Sequence, residues 1–352
     1  MNRYKKLTIF IFIIVTIFIT GCQKENSNNY IDLDSVPQDT GTFFLMDTLT
    51  QMKVYGENAK DVINTCFDRL REIENDMSKT IEGSDIYRIN EAEGDYISLE
   101  PDTFEVIETA LYYSRVTEGK FDLSIGPLVS LWGIGTKNAR VPSEEEIKKA
   151  MSKVNYNWVE TDMNNNRVKL MKEGMTLDLG AIVKGYAADE VREILEAENI
   201  DSAYVNLGGN VLVVGSKPDG SSWKVGIQDP RMNKGGVVGS IEVVDKTIVT
   251  SGNYERYFEK DGVIYHHIID PTTGYPVRNE IISVSIISED SFVADALSTS
   301  VFIMGIKKGL SLINSIENVD ALIINKELGI IMTDGLKDKF KLLNDDFYFS
   351  GK

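Results

Sequence analysis

Asp295 and Thr299 stand four residues apart in Ala294-Asp295-Ala296-Leu297-Ser298-Thr299. On a helix that spacing places a carboxylate and a hydroxyl on one face. Two such oxygen donors suit a hard cation such as Mg²⁺, with phosphate oxygens and water completing the octahedron. An aspartate that only caps a neighbouring helix would read the same way. Both histidines of the chain are adjacent, in Tyr265-His266-His267-Ile268-Ile269-Asp270-Pro271. If that segment is a strand, the two rings face opposite sides, so one can serve as a base near neutral pH while the other is dispensable. Leu177 to Asp189, with Lys184 inside it, runs from a short strand into a helix. The helix N-terminus offers unpaired N–H groups and a positive dipole to an anion, and Lys184 is either an added phosphate contact or a solvated surface lysine. Asn206-Leu207-Gly208-Gly209-Asn210 lies between two strand patterns, where paired glycines permit either a tight turn or a phosphate cradle.

Helices are expected near residues 59–77, 102–117, 143–153, 182–197 and 291–304. Ser143 and Glu146 form a capping-box signature for the third. Strands are expected near 42–55, 166–171, 202–206, 210–215, 223–228, 238–249, 264–269, 282–287 and 320–325. In the first helix Val62, Ile63, Cys66, Phe67, Leu70 and Ile73 share an apolar face, which makes Cys66 a small buried hydrophobe rather than a reactive thiol. The mixture predicts an α+β fold, as one compact body or two interleaved lobes. No Pro/Ser-rich linker divides the chain after residue 41, and neither a Walker A pattern nor a G-x-G-x-x-G fingerprint is present.

Composition bounds the function. The 352 residues carry 37 Lys and Arg against 54 Asp and Glu, a formal charge of −17, which argues against nucleic acid as a partner. Two cysteines and two histidines exclude a disulfide framework and zinc-finger spacing. Arg3, Lys5 and Lys6 precede an apolar run from Leu7 to Ile19, which ends in Thr20-Gly21-Cys22. The run is short for a bilayer span and reads as the core of an export signal. Small residues before Cys22 resemble the lipobox of bacterial lipoproteins. Three regions are therefore expected: a signal peptide (1–21), a polar tether (22–41) and a folded domain (42–352). Lipidation of Cys22 would anchor that domain on the extracytoplasmic face of the bacterial cytoplasmic membrane, in the cell envelope.

Taken together these segments resemble the ApbE family, the FAD:protein FMN transferases. The resemblance rests on Met46-Asp47-Thr48, Gly119-Lys120-Phe121-Asp122, Ile125-Gly126-Pro127-Leu128, Trp132-Gly133, the Asp178–Asp189 run, Asn206 to Asn210, Gly226-Ile227-Gln228-Asp229-Pro230, Thr250 to Arg256, His267 to Pro271 and Ala294 to Thr299. They follow the family's order and span residues 43–304. The resemblance implies Mg²⁺-dependent transfer of the FMN moiety of FAD to a Ser or Thr of a partner protein, with release of AMP. It implies Asp295, Thr299 and the carbonyl of Ala181 as Mg²⁺ ligands, and His267 as the base. Met46, Lys120, Phe121, Asp122, Asp178, Lys184, Gly208, Gly209 and Ile268 would bind FAD. The partner would carry a motif like D-x-x-[ST]-G-A-T. This chain contains neither Ser-Gly-Ala-Thr nor Thr-Gly-Ala-Thr, so it is not its own acceptor through that motif. Two other readings remain: an FAD pyrophosphatase releasing FMN and AMP, which uses the same residues, and a lipid-anchored flavin-binding protein without catalysis, which leaves Asp295, Thr299 and the histidine unexplained.

The lipobox makes a direct prediction. Cys22→Ala is expected to move the protein from the membrane to the soluble fraction of its host, and retention of the variant after a high-salt wash would rule the anchor out.

Overall fold

The computed structural model describes residues 31–232 and 235–351; the expected signal peptide and the first part of the tether, Cys22 included, lie outside the described residues. From Asp32 onward the chain folds as one body. Its helices are α1 (Ala59–Met77), α2 (Asp85–Asn90), α3 (Pro101–Val116), α4 (Gly126–Trp132), α5 (Glu144–Met151), α6 (Val183–Ala197), α7 (Ser291–Met304) and α8 (Ile306–Ile313). The first strands are β1 (Gln38–Leu45), β2 (Thr48–Tyr55), β3 (Ile97–Ser98), β4 (Val159–Asp162), β5 (Arg167–Leu170), β6 (Ala203–Leu207), β7 (Asn210–Val214) and β8 (Trp223–Gln228). Then come β9 (Val237–Val243), β10 (Lys246–Gly252), β11 (Tyr257–Lys260), β12 (Val263–His266), β13 (Ile281–Ser288), β14 (Asp320–Asn325), β15 (Gly329–Met332), β16 (Phe340–Leu342) and β17 (Tyr348–Phe349).

A nine-stranded sheet in the order β1-β2-β6-β7-β10-β13-β14-β15-β17 forms the middle layer. Its pairings are antiparallel except β15 with β17. Side chains alternate between its faces. One face sends Met52, Val54, Val205, Leu207, Leu212, Val249, Val284 and Ile286 into the main core, against Phe67 and Leu70 of α1, Val191 of α6 and Leu297 and Val301 of α7. The other face sends Val211, Val213, Ile248, Leu322 and Ile324 against Val225, Ile227 and Ile241 of a small sheet ordered β16-β9-β8. A satellite core joins Leu128 and Trp132 of α4 to Ile147 of α5, with Tyr265 of β12 and Tyr275 packed on it. This is the α+β arrangement that the pattern predicts, as a single body.

The expected helices sit where the periodicity places them, and Ser143 and Glu146 close the capping box. Cys66 is fully buried, and burial pushes its thiol up to about 12. Several elements depart from expectation. The tether does not run to residue 41: Leu33–Ser35 form a 3-10 turn and β1 begins at Gln38, paired with Tyr55. The single strand expected over 42–55 is the β1–β2 hairpin, broken by Met46 and Asp47 at φ 53° and 57°. The strand expected over 238–249 is likewise two strands, turned at Asp245 (φ 47°). The strand expected over 264–269 ends at His266. None of these turns carries the Asn-Gly or Gly-Gly signal that marks a two-residue hairpin loop. Met46 is held by a long-range bond instead, its N–H donating to Oε1 of Glu74 at 2.7 Å.

Gly208 and Gly209 form the β6–β7 turn at φ 60° and 97°. A Cβ on Gly208 would lie 1.9 Å from Oγ1 of Thr48, so the two hairpin turns interlock only through a glycine. Gly208→Ala adds a clash to a left-handed backbone and is expected to cost roughly 2–4 kcal/mol. Urea unfolding followed by tryptophan fluorescence measures it; a midpoint equal to the parent's would show that the turn can move aside.

Candidate functional site

The loop from β5 to α6 is tied down before it reaches the helix. Asp178 donates its N–H to the Leu123 carbonyl (2.9 Å). Its carboxylate pairs with Nζ of Lys79 (2.5 Å) and accepts the N–H of Gly180 (2.9 Å). α6 then starts at Val183, and its first turn is irregular. The N–H of Gly185, which an unbroken helix would send to the Ala181 carbonyl, goes to Oδ2 of Asp295 on α7 at 2.9 Å. Ala181 itself lies before the helix, and Gly185 is among the first-turn N–H groups that no helix satisfies internally. Gly185 is required at the crossing, since a Cβ there would lie 2.3 Å from the Ser291 carbonyl oxygen and 2.8 Å from Cβ of Asp295.

Asp295 is 4% exposed. Burial raises its pKa, while Lys184 and the backbone amides of Gly185 and Lys184 oppose that. One turn on, Oγ1 of Thr299 lies 3.4 Å from Oγ of Ser251, which also bonds Ser298 at 2.8 Å. One carboxylate, one hydroxyl and the Ala181 carbonyl are all hard oxygen donors. Among the described residues no three His, Cys, Asp or Glu side chains cluster as a metal cage. The donor set therefore fits an ion such as Mg²⁺ that keeps most of its shell as water and substrate phosphate.

His266 closes β12 and His267 follows it, and the two rings have different surroundings. His266 is buried edge-on against Phe302 (5.6 Å) and donates from Nε2 to the Val277 carbonyl at 2.8 Å. That makes it part of the packing, a correction to the expectation that it is dispensable. His267 donates its backbone N–H to the carbonyl of Arg256 (3.0 Å), and its Nδ1 lies 3.3 Å from the same oxygen. A carbonyl only accepts, so Nδ1 carries the proton and Nε2 keeps its lone pair. Desolvation, His266, Arg256 and Lys184 push the His267 pKa down to about 3, so the ring is neutral at physiological pH. Glu255 adds a carboxylate that desolvation raises to about 7, against the pull of Lys184 and Arg256. Lys184 thus lies within electrostatic reach of His267, Glu255 and Asp295. The Arg256 guanidinium donates to the Asp47 carbonyl at 3.2 Å, which joins the Met46 turn to the histidine. Gly209 closes this side, with Oε1 of Glu255 3.9 Å from where its Cβ would be.

The expected residues fall into two groups. Ala181, Lys184, Asp295, Thr299 and His267 converge, with the turns of Met46 and of Gly208 and Gly209 beside them. Lys120, Phe121, Asp122 and Ile268 are engaged within the protein. Phe121 and Ile268 are buried in the main core. Asp122 accepts from the N–H and Oγ of Ser124 and from the N–H of Tyr156. Lys120 clamps Asp270 through both carboxylate oxygens (3.1 and 3.2 Å) and reaches Oγ1 of Thr272 (2.9 Å), which fixes the turn after His267. Sequence reasoning assigned no role to Glu255, Arg256 or Lys79; Glu255 and Arg256 lie in a quoted segment, and only the fold shows what they touch.

The ApbE family matches residues 46–323 of this chain. The chain is 34% identical to the FAD:protein FMN transferase of Klebsiella pneumoniae over 304 residues, covering 86% of this chain and 94% of that protein. It is 33% identical to that of Treponema pallidum, covering 86% and 89%. The crystal structure of the ApbE protein from Thermotoga maritima superposes with a TM-score of 0.80 at 34% identity, covering 86% of this chain and 99% of that one. The flavin transferase ApbE from Vibrio cholerae superposes at 0.74 with 28% identity, covering 87% and 96%.

Lys184 generates a test of the electrostatics. Its cation stabilises the Glu255 carboxylate and disfavours imidazolium at His267, so Lys184→Met should raise the pKa of both. A pH titration of the His267 ring by NMR reads this directly; an unmoved or lowered value would place Lys184 out of reach.

Proposed function

We propose, because this chain belongs to the ApbE family, that its site moves the FMN moiety of FAD onto a Ser or Thr hydroxyl of a partner protein, with Mg²⁺ bound and AMP released. The observation that carries the reading is the crossing of α6 and α7, where Asp295 takes the Gly185 N–H and Thr299 follows one turn later on the same helix. Asp295, Thr299 and the Ala181 carbonyl would hold the ion, which when bound neutralises diphosphate oxygens in the transition state. Lys184 and Arg256 contribute fixed positive charge, and the start of α6 contributes its dipole. His267 supports the base role because its Nδ1 proton is committed to Arg256 and Nε2 is free to accept.

The step balances on these groups. The acceptor oxygen bonds to the phosphorus of the FMN half, and its proton passes to Nε2 of His267. The bond from that phosphorus to the bridging oxygen breaks, and AMP departs with the electron pair. A pKa of about 3 makes an unloaded His267 a weak base. Bound diphosphate offsets the charges of Lys184 and Arg256, which raises the ring's proton affinity when the substrate is in place. Water in place of the hydroxyl would give hydrolysis, so exclusion of water by the acceptor decides the product. The lipobox supports a lipid-anchored enzyme on the extracytoplasmic face of the membrane; no described helix is long and apolar enough to cross one.

Incubation with FAD, Mg²⁺ and an acceptor protein, read by covalent flavin fluorescence and AMP release, tests the reading. Asp295→Ala should abolish transfer, and Thr299→Ala should weaken it less because it removes a neutral oxygen. His267→Asn should lower the rate by about 10²–10⁴ with FAD affinity largely kept. An Asp295→Ala enzyme with the parent's rate and Mg²⁺ dependence would overturn the metal assignment, and FAD binding by the parent without AMP release would overturn catalysis.

A further inference from the structure

Among the described residues β8 pairs only with β9, so its other edge is free. Along it Trp223, Val225 and Ile227 point into the second core, while Lys224, Gly226 and Gln228 face outward. Trp223 pins this end over the large sheet, 6.3 Å from Tyr55 and 6.1 Å from Tyr204. Between the β8 edge and the sheet runs a cleft of about 220 Å³, with Lys224, Gly226 and Gln228 on one side, Asn206 and Thr250 on the other, and Gly209 and Glu255 at one end. That end is the rim of the catalytic site.

The register extends the floor of this cleft. Gln51 pairs with Asn206 and Lys53 with Tyr204, so their side chains share the cleft's face of the sheet. Leu49 lies two residues before Gln51 on that face, and it pairs with Phe44. The small sheet does not reach them: Phe44 is 71% exposed and Leu49 53%. An apolar cross-strand pair therefore stands open to solvent beside the Met46 and Gly208 turns, on the face away from α6 and α7.

We propose that this cleft and the Phe44–Leu49 pair seat the acceptor protein, an extended segment of which adds to the free edge of β8. The inference rests on the transferase reading above. A six-residue edge spans roughly 20 Å, enough for about six extended residues of a partner. Backbone groups of β8 recognise any sequence that can extend. Phe44 and Leu49 select an apolar side chain beyond the reacting residue, while Lys224 on the β8 edge is already paired with Glu242 (3.3 Å). The segment's Ser or Thr arrives at the Gly209–Glu255 end, facing His267, and its backbone shields that end from water.

Leu49→Asp and Phe44→Asp test the seat without touching the catalytic groups. The probe is an acceptor domain that the parent enzyme labels covalently with FMN. Each variant is expected to raise the KM for that domain at least tenfold, with kcat at saturation and FAD affinity within twofold of the parent. Hydrogen–deuterium exchange should show residues 223–228 protected when the domain is added in excess. An unchanged acceptor KM with no protection of β8 would overturn the seat and leave the transferase reading intact. Failure of the parent to label any acceptor would overturn that reading and the seat with it. Loss of binding to anionic phosphatidylglycerol vesicles at unchanged KM would assign the apolar pair to the membrane instead.

Discussion

The crossing of α6 over α7 is the constraint on which the site depends. Asp295 of α7 accepts the N–H of Gly185 in the first turn of α6 (2.9 Å). Asp189 of α6 in turn accepts the N–H groups of Ser291 (3.0 Å) and Phe292 (2.8 Å) at the start of α7. Each helix thus caps the other with a carboxylate at its positive end, where a cap is typically worth about 1 kcal/mol. Reciprocal capping fixes both the separation and the rotation of the pair. It holds only because Gly185 has no side chain to keep the backbones apart. The same contact that locks the helices also fixes the Asp295 carboxylate at the start of α6.

Burying Asp295 has a cost that two backbone amides only partly offset, and its raised pKa records the remainder. A carboxylate under such tension gains from a cation more than a solvated one does, because a positive charge beside it faces little competing water. The raised pKa of Asp295 is thus a consequence of the helix crossing that buries it.

Much of this was legible in the sequence, and the legible part is local. The i, i+4 spacing of Asp295 and Thr299 needs only a helix, which the apolar pattern of 291–304 supplies. That adjacent His266 and His267 have different surroundings needs only an extended segment. What escaped depends on contacts between residues distant along the chain. Met46 adopts a left-handed turn with Glu74 holding its N–H, and nothing near Met46 announces it, so the β1–β2 hairpin reads as a single strand. Lys120 and Asp122 sit in a segment that resembles a binding motif, yet Lys120 serves Asp270, 150 residues away, and Asp122 serves Ser124 and Tyr156. A motif marks which residues matter, and only the pairing decides whether each touches the ligand or holds another residue that does.

The charge around the site differs in sign from that of the chain as a whole. The net charge of −17 sets the far field, which is screened within about 10 Å at ordinary ionic strength. At contact range the balance reverses. Lys184 and Arg256 lie within electrostatic reach of His267 and Glu255, Lys184 also reaches Asp295, and the N-terminus of α6 adds its positive dipole. Arg256 does double duty, since its carbonyl orients the His267 ring while its guanidinium holds the Asp47 carbonyl. A displacement at the Met46–Asp47 turn therefore reaches the histidine through a single residue. The Met46–Asp47 turn and the His267 ring are mechanically joined at Arg256.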